Sequence, residues 1–400
     1  MKRILAAATI MSLFGLALCS QAGAAGFYFG DETKGATVTS NESDFNIRIR
    51  LQPRIDYGDL IKSKDSKSYS TESDLYLRRV RLEMGGALLA KTIKYNLTLS
   101  ADKWEQTGHT GSVGVLYSFV QWEGDDAYNV TIGKAKLPYS RVSLTSSSKQ
   151  LLIERPASTE AAKKVFGKTD PYYQPKLAVH GKFLDGIVAY EAAVADGWQN
   201  GEAIHTTPTR TVYKSNPLYV GRVELSPPGW VEKSKSDAHL GKGQHLSLGV
   251  NVASQSSIEY AQIAPATAED NREHRTLKGI DLSGHYKGLT AQFEYNDWKI
   301  ETSDRAVPNS HPKGWYGQAG YYIEDLNVEP VARYEIYDQD SKKPEMAEKN
   351  STVGVNWYGK GHSFKVGLNW VRTRYEDKAS GRLINDNRKN VYQLQGQMYF

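Results

Sequence analysis

The segment Asp44-Phe45-Asn46-Ile47-Arg48-Ile49-Arg50-Leu51-Gln52-Pro53-Arg54-Ile55-Asp56-Tyr57 alternates with a period of two. Phe45, Ile47, Ile49, Leu51, Ile55 and Tyr57 fall on one parity; Asn46, Arg48, Arg50, Gln52, Arg54 and Asp56 fall on the other. Successive strand side chains point to opposite faces, so this is a strand with an apolar face and a charged one. At a bilayer midplane a strand arginine facing lipid costs ~2–4 kcal/mol. Arg48, Arg50 and Arg54 would each incur that cost, whereas Ile47, Ile49 and Leu51 meet lipid without it. In a membrane, the arginine side must face an aqueous interior.

The same rhythm recurs along the chain. Ile93, Tyr95, Leu97 and Leu99 alternate with Lys94, Asn96, Thr98 and Ser100. Leu246, Leu248, Val250 and Val252 alternate with His245, Ser247, Gly249 and Asn251, and Phe364, Val366, Leu368 and Trp370 with Lys365, Gly367 and Asn369. About 16 such segments occur, each near the ~9–11 residues of a tilted membrane strand. They lie at 44–57, 74–88, 91–104, 113–123, 127–136, 176–184, 187–196, 217–226, 244–254, 276–286, 289–300, 314–325, 328–338, 351–358, 363–374 and 390–400. Tight turns such as Asp185-Gly186 and Lys287-Gly288 alternate with long polar connections such as 58–73, 197–216 and 255–275. Short turns on one rim and long loops on the other are the plan of an outer-membrane β-barrel. The connection 226–243, with Pro227-Pro228-Gly229, breaks the rule, because parity puts it on the short-turn rim. The expected fold is all-β, a transmembrane antiparallel barrel of about 16 strands over residues 44–400.

Both ends of the chain agree with export to an outer membrane. Lys2 and Arg3, the apolar run from Ile4 to Leu18 and the small residues Ala22-Gly23-Ala24-Ala25 read as a signal peptide over 1–24. A periplasmic N-terminal segment over 25–43 follows. The apolar run is shorter than the ~20 residues a helical span needs. Cys19 is the one cysteine, and Leu18 is too bulky to precede a lipid-attachment cysteine. Cleavage leaves no disulfide, thiol nucleophile or thiolate metal site. At the other end Tyr392, Leu394, Met398 and the terminal Phe400 share a face, as in strands presented to barrel-insertion machinery. The formal charge of +5, less Lys2 and Arg3, leaves +3, too little to imply a nucleic-acid partner.

On the interior parity, the first three strands carry Arg48, Arg50, Arg54, Arg79, Arg81 and Lys94 against Asp56, Glu83 and Asp102. Later strands add Arg222, Arg333 and Lys365, opposed by Glu224, Asp281, Glu294 and Glu335. A basic wall in a narrow passage concentrates anions by field focusing. Pairing with neighbouring acids would stiffen the wall, at ~0–1 kcal/mol for each exposed pair, without abolishing the bias. Residues 137–175 form an aperiodic stretch of about 39 residues, and loops this long are usually functional. The stretch carries Arg141, Ser143, Thr145, Ser146, Ser147, Ser148, Lys149 and Arg155. Hydroxyls and cations together replace part of an anion's hydration shell, so the loop is expected to fold inward and set the constriction. Lys134 and Lys136 share the parity of apolar Tyr128, Val130 and Ile132, which places them at the start of that loop or on a bulge.

Other chemistry has little footing. His109, His205, His239, His274, His311 and His362 fall in connections, scattered rather than clustered, while His245 and His285 fit interior positions. No ligand spacing such as His-x-x-x-His occurs, so no metal or other cofactor is expected. Ser247 and Ser283 near His245 and His285 come nearest to a nucleophile and its base, but both residue types are ordinary in an aqueous lumen. No enzymatic activity is expected. Trp298, Trp315, Trp357, Trp370 and Tyr399, near strand ends, read as interfacial girdle residues. Tyr316, Tyr322 and Tyr337 have interior parity, which keeps open a sugar channel lined by aromatic steps.

Leu75-Tyr76-Leu77-Arg78-Arg79-Val80-Arg81-Leu82 resembles the strand-two motif of the phosphate-selective porin O/P family. So do Ile132-Gly133-Lys134-Ala135-Lys136-Leu137-Pro138-Tyr139-Ser140, leading into Ser146-Ser147-Ser148 and Ile153-Glu154-Arg155. Gly314-Trp315-Tyr316-Gly317-Gln318-Ala319-Gly320-Tyr321 and Pro330-Val331-Ala332-Arg333-Tyr334 look like that family too. The likeness covers nearly all of the chain from residue 44. It implies a homotrimeric porin of a Gram-negative outer membrane, with an inward third external loop and a basic lumen. Some members prefer phosphate, using an arginine ladder that Arg48, Arg50, Arg54, Arg79 and Arg81 would supply here. The candidate pore-lining residues are these five with Lys94, Arg141, Ser146, Ser147, Ser148, Lys149, Arg222, Arg333 and Lys365. The expected partners are small hydrophilic solutes, inorganic anions and outer-membrane lipid. A broad or sugar-selective porin and a non-channel barrel are the alternatives.

Overall fold

The computed structural model describes residues 26–31, 35–62, 69–107, 109, 111–167, 172–206, 209–262, 271–376 and 387–400. The signal peptide expected over 1–24 lies outside these residues. The strands are β1 (Gly26–Asp31), β2 (Gly35–Thr39), β3 (Asp44–Lys62), β4 (Tyr69–Leu88), β5 (Ile93–Trp104), β6 (Gly114–Glu123), β7 (Asn129–Lys136), β8 (Tyr173–Phe183), β9 (Val188–Ala195) and β10 (Ala203–Thr206). There follow β11 (Thr209–Lys214), β12 (Leu218–Leu225), β13 (Gln244–Gln262), β14 (Asn271–Tyr286), β15 (Leu289–Thr302), β16 (Lys313–Tyr321), β17 (Val328–Asp338), β18 (Ala347–Lys360), β19 (Phe364–Tyr375) and β20 (Arg388–Tyr399). β3 to β9 and β12 to β20 close an antiparallel barrel of 16 strands. β9 pairs with β12, and β20 returns to β3 with Tyr399 opposite Arg50 and Val391 opposite Gly58.

All the alternating segments are barrel strands, and the differences are at their ends. β3 continues to Lys62 and β13 to Gln262, because antiparallel partners go on satisfying backbone groups above the bilayer. The connection 197–216 contains the hairpin β10–β11, which leans on β13. The segment before residue 44 also contributes structure. β1 and β2 form a hairpin, and β2 takes the lower edge of β3, with Thr39 opposite Asp44 and Ala36 opposite Ile47.

Burial follows the alternation. On β3 Ile49, Ile55 and Tyr57 are exposed outward, while Arg50, Gln52, Arg54 and Asp56 are buried inside. A slip of one residue would exchange the two sets, so the lipid itself fixes the register. One irregularity matters. Gln52 pairs with Arg79 but Pro53 pairs with Leu77, leaving Arg78 as an extra residue on β4. Pro53 has no N–H to give the ladder, and a bulge here absorbs the lost bond. Two girdle assignments are overturned. Trp298 has interior parity and is buried against the lumen contents, and Tyr399 lies under Arg48 and Arg50 inside the barrel. Trp357 and Trp370 are exposed on the outside.

The connection from β7 to β8 folds into the barrel as expected. It carries two short helices, α1 (Arg141–Leu144) and α2 (Ala157–Ala162), and a 3-10 turn (Lys163–Phe166). Its Leu137, Tyr139, Val165 and Phe166 pack on an apolar strip of the wall that includes Leu218, Val220, Leu277 and Trp298. Lower down, Leu151 and Leu152 pack with Val331 and Tyr358, and with Ala238 from the connection 226–243, which therefore also enters the lumen. Glycines make the seat. A Cβ on Gly314 would stand 2.5 Å from Ser158 Cβ, and one on Gly320 3.0 Å from Leu151 Cδ2.

Candidate functional site

The register of β3 against β4 sets Arg48 opposite Glu83, Arg50 opposite Arg81 and Gln52 opposite Arg79. Like charges directly opposite are unfavourable unless counter-ions flank them. Here they do. Glu83 accepts from Arg48 Nε at 2.6 Å and from Arg50 Nη2 at 2.6 Å. Arg81 donates to Asp102 Oδ2 at 3.2 Å, and Arg54 to Asp56 Oδ1 at 2.7 Å. Arg79 donates to Gln52 Oε1 at 3.0 Å.

The inward loop meets this wall with a hydroxyl and a carboxylate. Ser147 Oγ accepts from Arg50 Nη1 at 3.1 Å, with Arg81 Nη1 3.5 Å away. Glu154 accepts from Arg78 Nε at 2.6 Å and Nη2 at 3.1 Å, and from Arg54, with Arg79 Nη2 at 3.9 Å. Burial alone would raise the Glu154 carboxyl, but Arg78, Arg54 and Arg79 hold it well below the usual carboxylate range. The loop thus brings its own anion into the arginine cluster. The bulge at Pro53 turns Arg78 and Arg79 to the same side, so Arg78 joins a cluster from which strict alternation excluded it. Glu154 stands in the Ile153-Glu154-Arg155 motif, and nothing in its spacing showed where it would point.

Other candidates bind the loop itself. Lys365 Nζ donates to Gln150 O at 2.7 Å, Arg333 Nη1 to Glu154 O at 2.9 Å and Gln397 Nε2 to Ser148 O at 3.2 Å. Carbonyls taken out of water need such donors. The hydroxyls of Ser146 and Ser148 lie 2.9 Å apart, turned to each other. Arg141 gives both Nη atoms to Glu232, at 2.8 and 2.9 Å, and Lys149 Nζ lies 3.4 Å from Ser234 Oγ. Both contacts are with the connection 226–243, whose exceptional place in the loop pattern was its sequence signal. Arg222 is bound to Asp281 at 2.6 and 2.9 Å and to Glu224 at 2.9 Å. Gly249 makes room for that pair, since a Cβ there would stand 2.2 Å from Arg222 Nη2. Lys94 pairs with Glu123 near the short-turn rim. Lys136 Nζ donates to Leu144 O at 2.7 Å, at the base of the loop, and Lys134 Nζ to Val115 O at 2.8 Å. Of the candidates, Arg48, Arg50, Arg54, Arg79, Arg81 and Ser147 form one constellation, Arg333 reaches it through Glu154 O, and Ser146 and Ser148 adjoin it beside Ser147.

Two of the six connection histidines, His239 and His362, gather with His245 and His285, while His109, His205, His274 and His311 lie apart. His239 stacks on His285 with ring centroids 3.3 Å apart, His245 lies 5.6 Å from His285, and His362 Nε2 lies 3.1 Å from Ala238 O. Chain folding at the short-turn rim brings together residues far apart in sequence. His245 Nε2 lies 2.8 Å from Ser283 Oγ, yet His245 Nδ1 has no hydrogen-bond partner among the described residues, so this pair lacks the orienting group of a nucleophile–base system.

Residues 47–400 match the family described as phosphate-selective porin O and P. An uncharacterized protein of Aquifex aeolicus (strain VF5) is 36% identical over 389 residues, covering 91% of this chain and 89% of its own. An anion-selective porin from Comamonas acidovorans superposes with a TM-score of 0.62 at 13% identity, over 90% of this chain and 100% of that one. The outer-membrane channel DcaP of Acinetobacter baumannii gives 0.57 at 11% identity, over 90% and 99%. The 16-strand closure, the loop inside the lumen and the match over nearly the whole chain agree: the protein belongs to the phosphate-selective porin O and P family and is a transport barrel of the outer membrane rather than an enzyme.

Proposed function

We propose that this porin passes small hydrophilic solutes and favours inorganic anions, phosphate-like oxyanions among them. The balance of charge at the β3–β4 wall carries the reading. Arg48, Arg50, Arg54, Arg78, Arg79 and Arg81 meet Asp56, Glu83, Asp102 and Glu154, six guanidiniums against four carboxylates. The excess positive charge sits in a restricted passage, where it raises the local concentration of anions. Ser147 adds a hydroxyl between Arg50 and Arg81. The family's description and the name of the Comamonas porin point the same way. Tyr316 is buried beneath the loop, which argues against a track of aromatic steps for sugars. The working form is a homotrimer in outer-membrane lipid, exported through a signal peptide cleaved near Ala24.

Block of chloride current by inorganic phosphate in planar bilayers tests this reading. Phosphate is expected to lower the chloride current in a saturable way. Chloride current indifferent to phosphate would remove the oxyanion preference.

A further inference from the structure

The connection 226–243 leaves the short-turn rim and enters the lumen, where it meets the loop that descends from the opposite rim. Several contacts hold it. Glu232 takes Arg141 of α1, and Asp237 accepts from Thr145 Oγ1 at 3.1 Å and from Gln292 Nε2 of β15 at 2.7 Å. The amides of Asp237 and Ala238 donate to Lys149 O at 3.0 and 3.1 Å. Lys235 Nζ lies 2.6 Å from Glu224 of β12.

Ala238 also packs with Leu151, Leu152, Val331 and Tyr358, Arg141 Nη2 donates to Ser236 O at 3.2 Å, and Trp230 lies against Tyr286. Beside these stand imidazoles. His239 lies flat on His285 of β14, with centroids 3.3 Å apart and planes at 17°. His245 of β13 flanks His285, and His362, in the turn between β18 and β19, reaches Ala238 O. The Nδ1 atoms of His245, His285 and His362 are buried without a hydrogen-bond partner among the described residues. Stacking this close cannot hold two charged rings, because like charges a few ångströms apart and shielded from water repel strongly. The surrounding charges do not relieve that repulsion. Arg141 and Lys149 approach from the loop, Lys365 from β19, and Lys235 and Lys242 belong to the segment itself. The nearby carboxylates are engaged: Glu232 by Arg141, Glu224 by Arg222 and Lys235, Asp237 by Thr145 and Gln292, and Glu329 of β17 by Tyr358. Burial, with His285, Arg141, His245 and His362 adding to it, pushes the His239 imidazole down to about 2. Gly241 and Gly243, at φ +71° and +69°, form a joint just beyond the stack. Among the described residues, no group of three or more His, Cys, Asp or Glu side chains is placed to hold a metal ion.

We propose that the segment 226–243 is an acid-released plug: protonation of the stacked His239–His285 pair and of the flanking His245 and His362 expels it from the lumen and widens the channel. The proposal rests on the reading of the barrel as an open diffusion channel. Its direction follows from linkage. Once undocked, His239 titrates near the ordinary value of ~6.5, whereas docked it resists protonation. Docking is therefore complete above that value. Below it, docking weakens roughly tenfold per pH unit for each histidine that must stay neutral.

Single-channel conductance in potassium chloride, read from roughly pH 8 down to roughly pH 4, tests it on the wild type and the H239Q/H285Q double variant. The wild-type conductance should rise steeply on the acid side while that of the variant stays flat. An identical profile in both, or no rise in a wild type that conducts, would overturn the proposal. Hydrogen exchange at the amides of Asp237 and Ala238, corrected for intrinsic pH dependence, reads docking without any current. Protection lost at acid pH in the wild type is expected; protection retained there would overturn the plug whether or not the barrel conducts. Acid release in a barrel that passes no ions at any pH would overturn the channel reading alone.

Discussion

In the proposed channel, Glu154 would tune the charge that a passing ion meets. Its carboxylate is held by Arg54 and Arg78 and lies 3.9 Å from Arg79, so it cancels part of the field of the strands it touches. Glu154→Gln keeps the shape and removes the charge, and should shift selectivity several-fold further toward chloride. An unchanged selectivity in E154Q would show that the cluster lies off the ion path. The double change Arg50→Ala and Arg54→Ala should act oppositely. It removes two cations, which matches the excess of six guanidiniums over four carboxylates at the wall. Near-equal permeability to chloride and potassium is expected. Arg222 tests a purely structural role. Asp281 is fully buried against it, and removal of one partner of a buried pair costs ~3–5 kcal/mol. Urea unfolding of R222A from lipid vesicles should show a loss of that order, with selectivity retained; a loss well below ~1 kcal/mol would mean that water reaches the pair. At this scale the sequence was partly readable. Alternation placed Arg48, Arg50, Arg54, Arg79 and Arg81 inside because lipid excludes them. It misplaced Arg78, because parity carries no sign of the bulge that Pro53 brings.

The inward loop and the wall that receives it are made for each other. Its apolar residues face an apolar strip, its carbonyls meet Lys365, Arg333 and Asn356, and its Ser158 sits over Gly314. A side chain at Gly314 has no room there, since its first carbon would already stand 2.5 Å from Ser158. Gly314→Val should push the loop away from the wall and lower single-channel conductance, while the strand count seen by circular dichroism stays the same. Wild-type conductance in G314V would mean that the loop does not bound the passage. Strands were the most readable elements, because a two-residue period with lipid on one side has few other readings. The loop's inward turn was readable from its length and hydroxyl content. Its partners were not, because contacts such as Ser147 with Arg50 and Arg141 with Glu232 join residues that no local period relates. The connection 226–243 announced itself only by being too long for its rim, and the histidine cluster, assembled from four separate connections and strands, gave no local sign.

The described residues form a closed wall whose interior receives parts of the β7–β8 connection and of the connection 226–243. Closure of β20 on β3 removes the sheet edge, and the outward Ile, Leu, Val and aromatic residues form the surface that lipid covers. The interior departs from a uniformly polar lumen. Leu218, Val220, Leu277 and Trp298 give one side of it over to packing the loop, which leaves the arginine-rich β3–β4 side to shape the field. A homotrimer should appear as a single species of three chains in native mass spectrometry from mild detergent; a monomer that conducts with the same selectivity would separate assembly from passage. The most direct test of anion preference is the zero-current potential of single channels across a potassium chloride gradient. A potential close to the chloride equilibrium value, falling toward zero when Arg50 and Arg54 are changed to alanine, is the expected result. A wild-type potential at zero or on the potassium side would contradict the assignment of the β3–β4 arginines as the selecting wall.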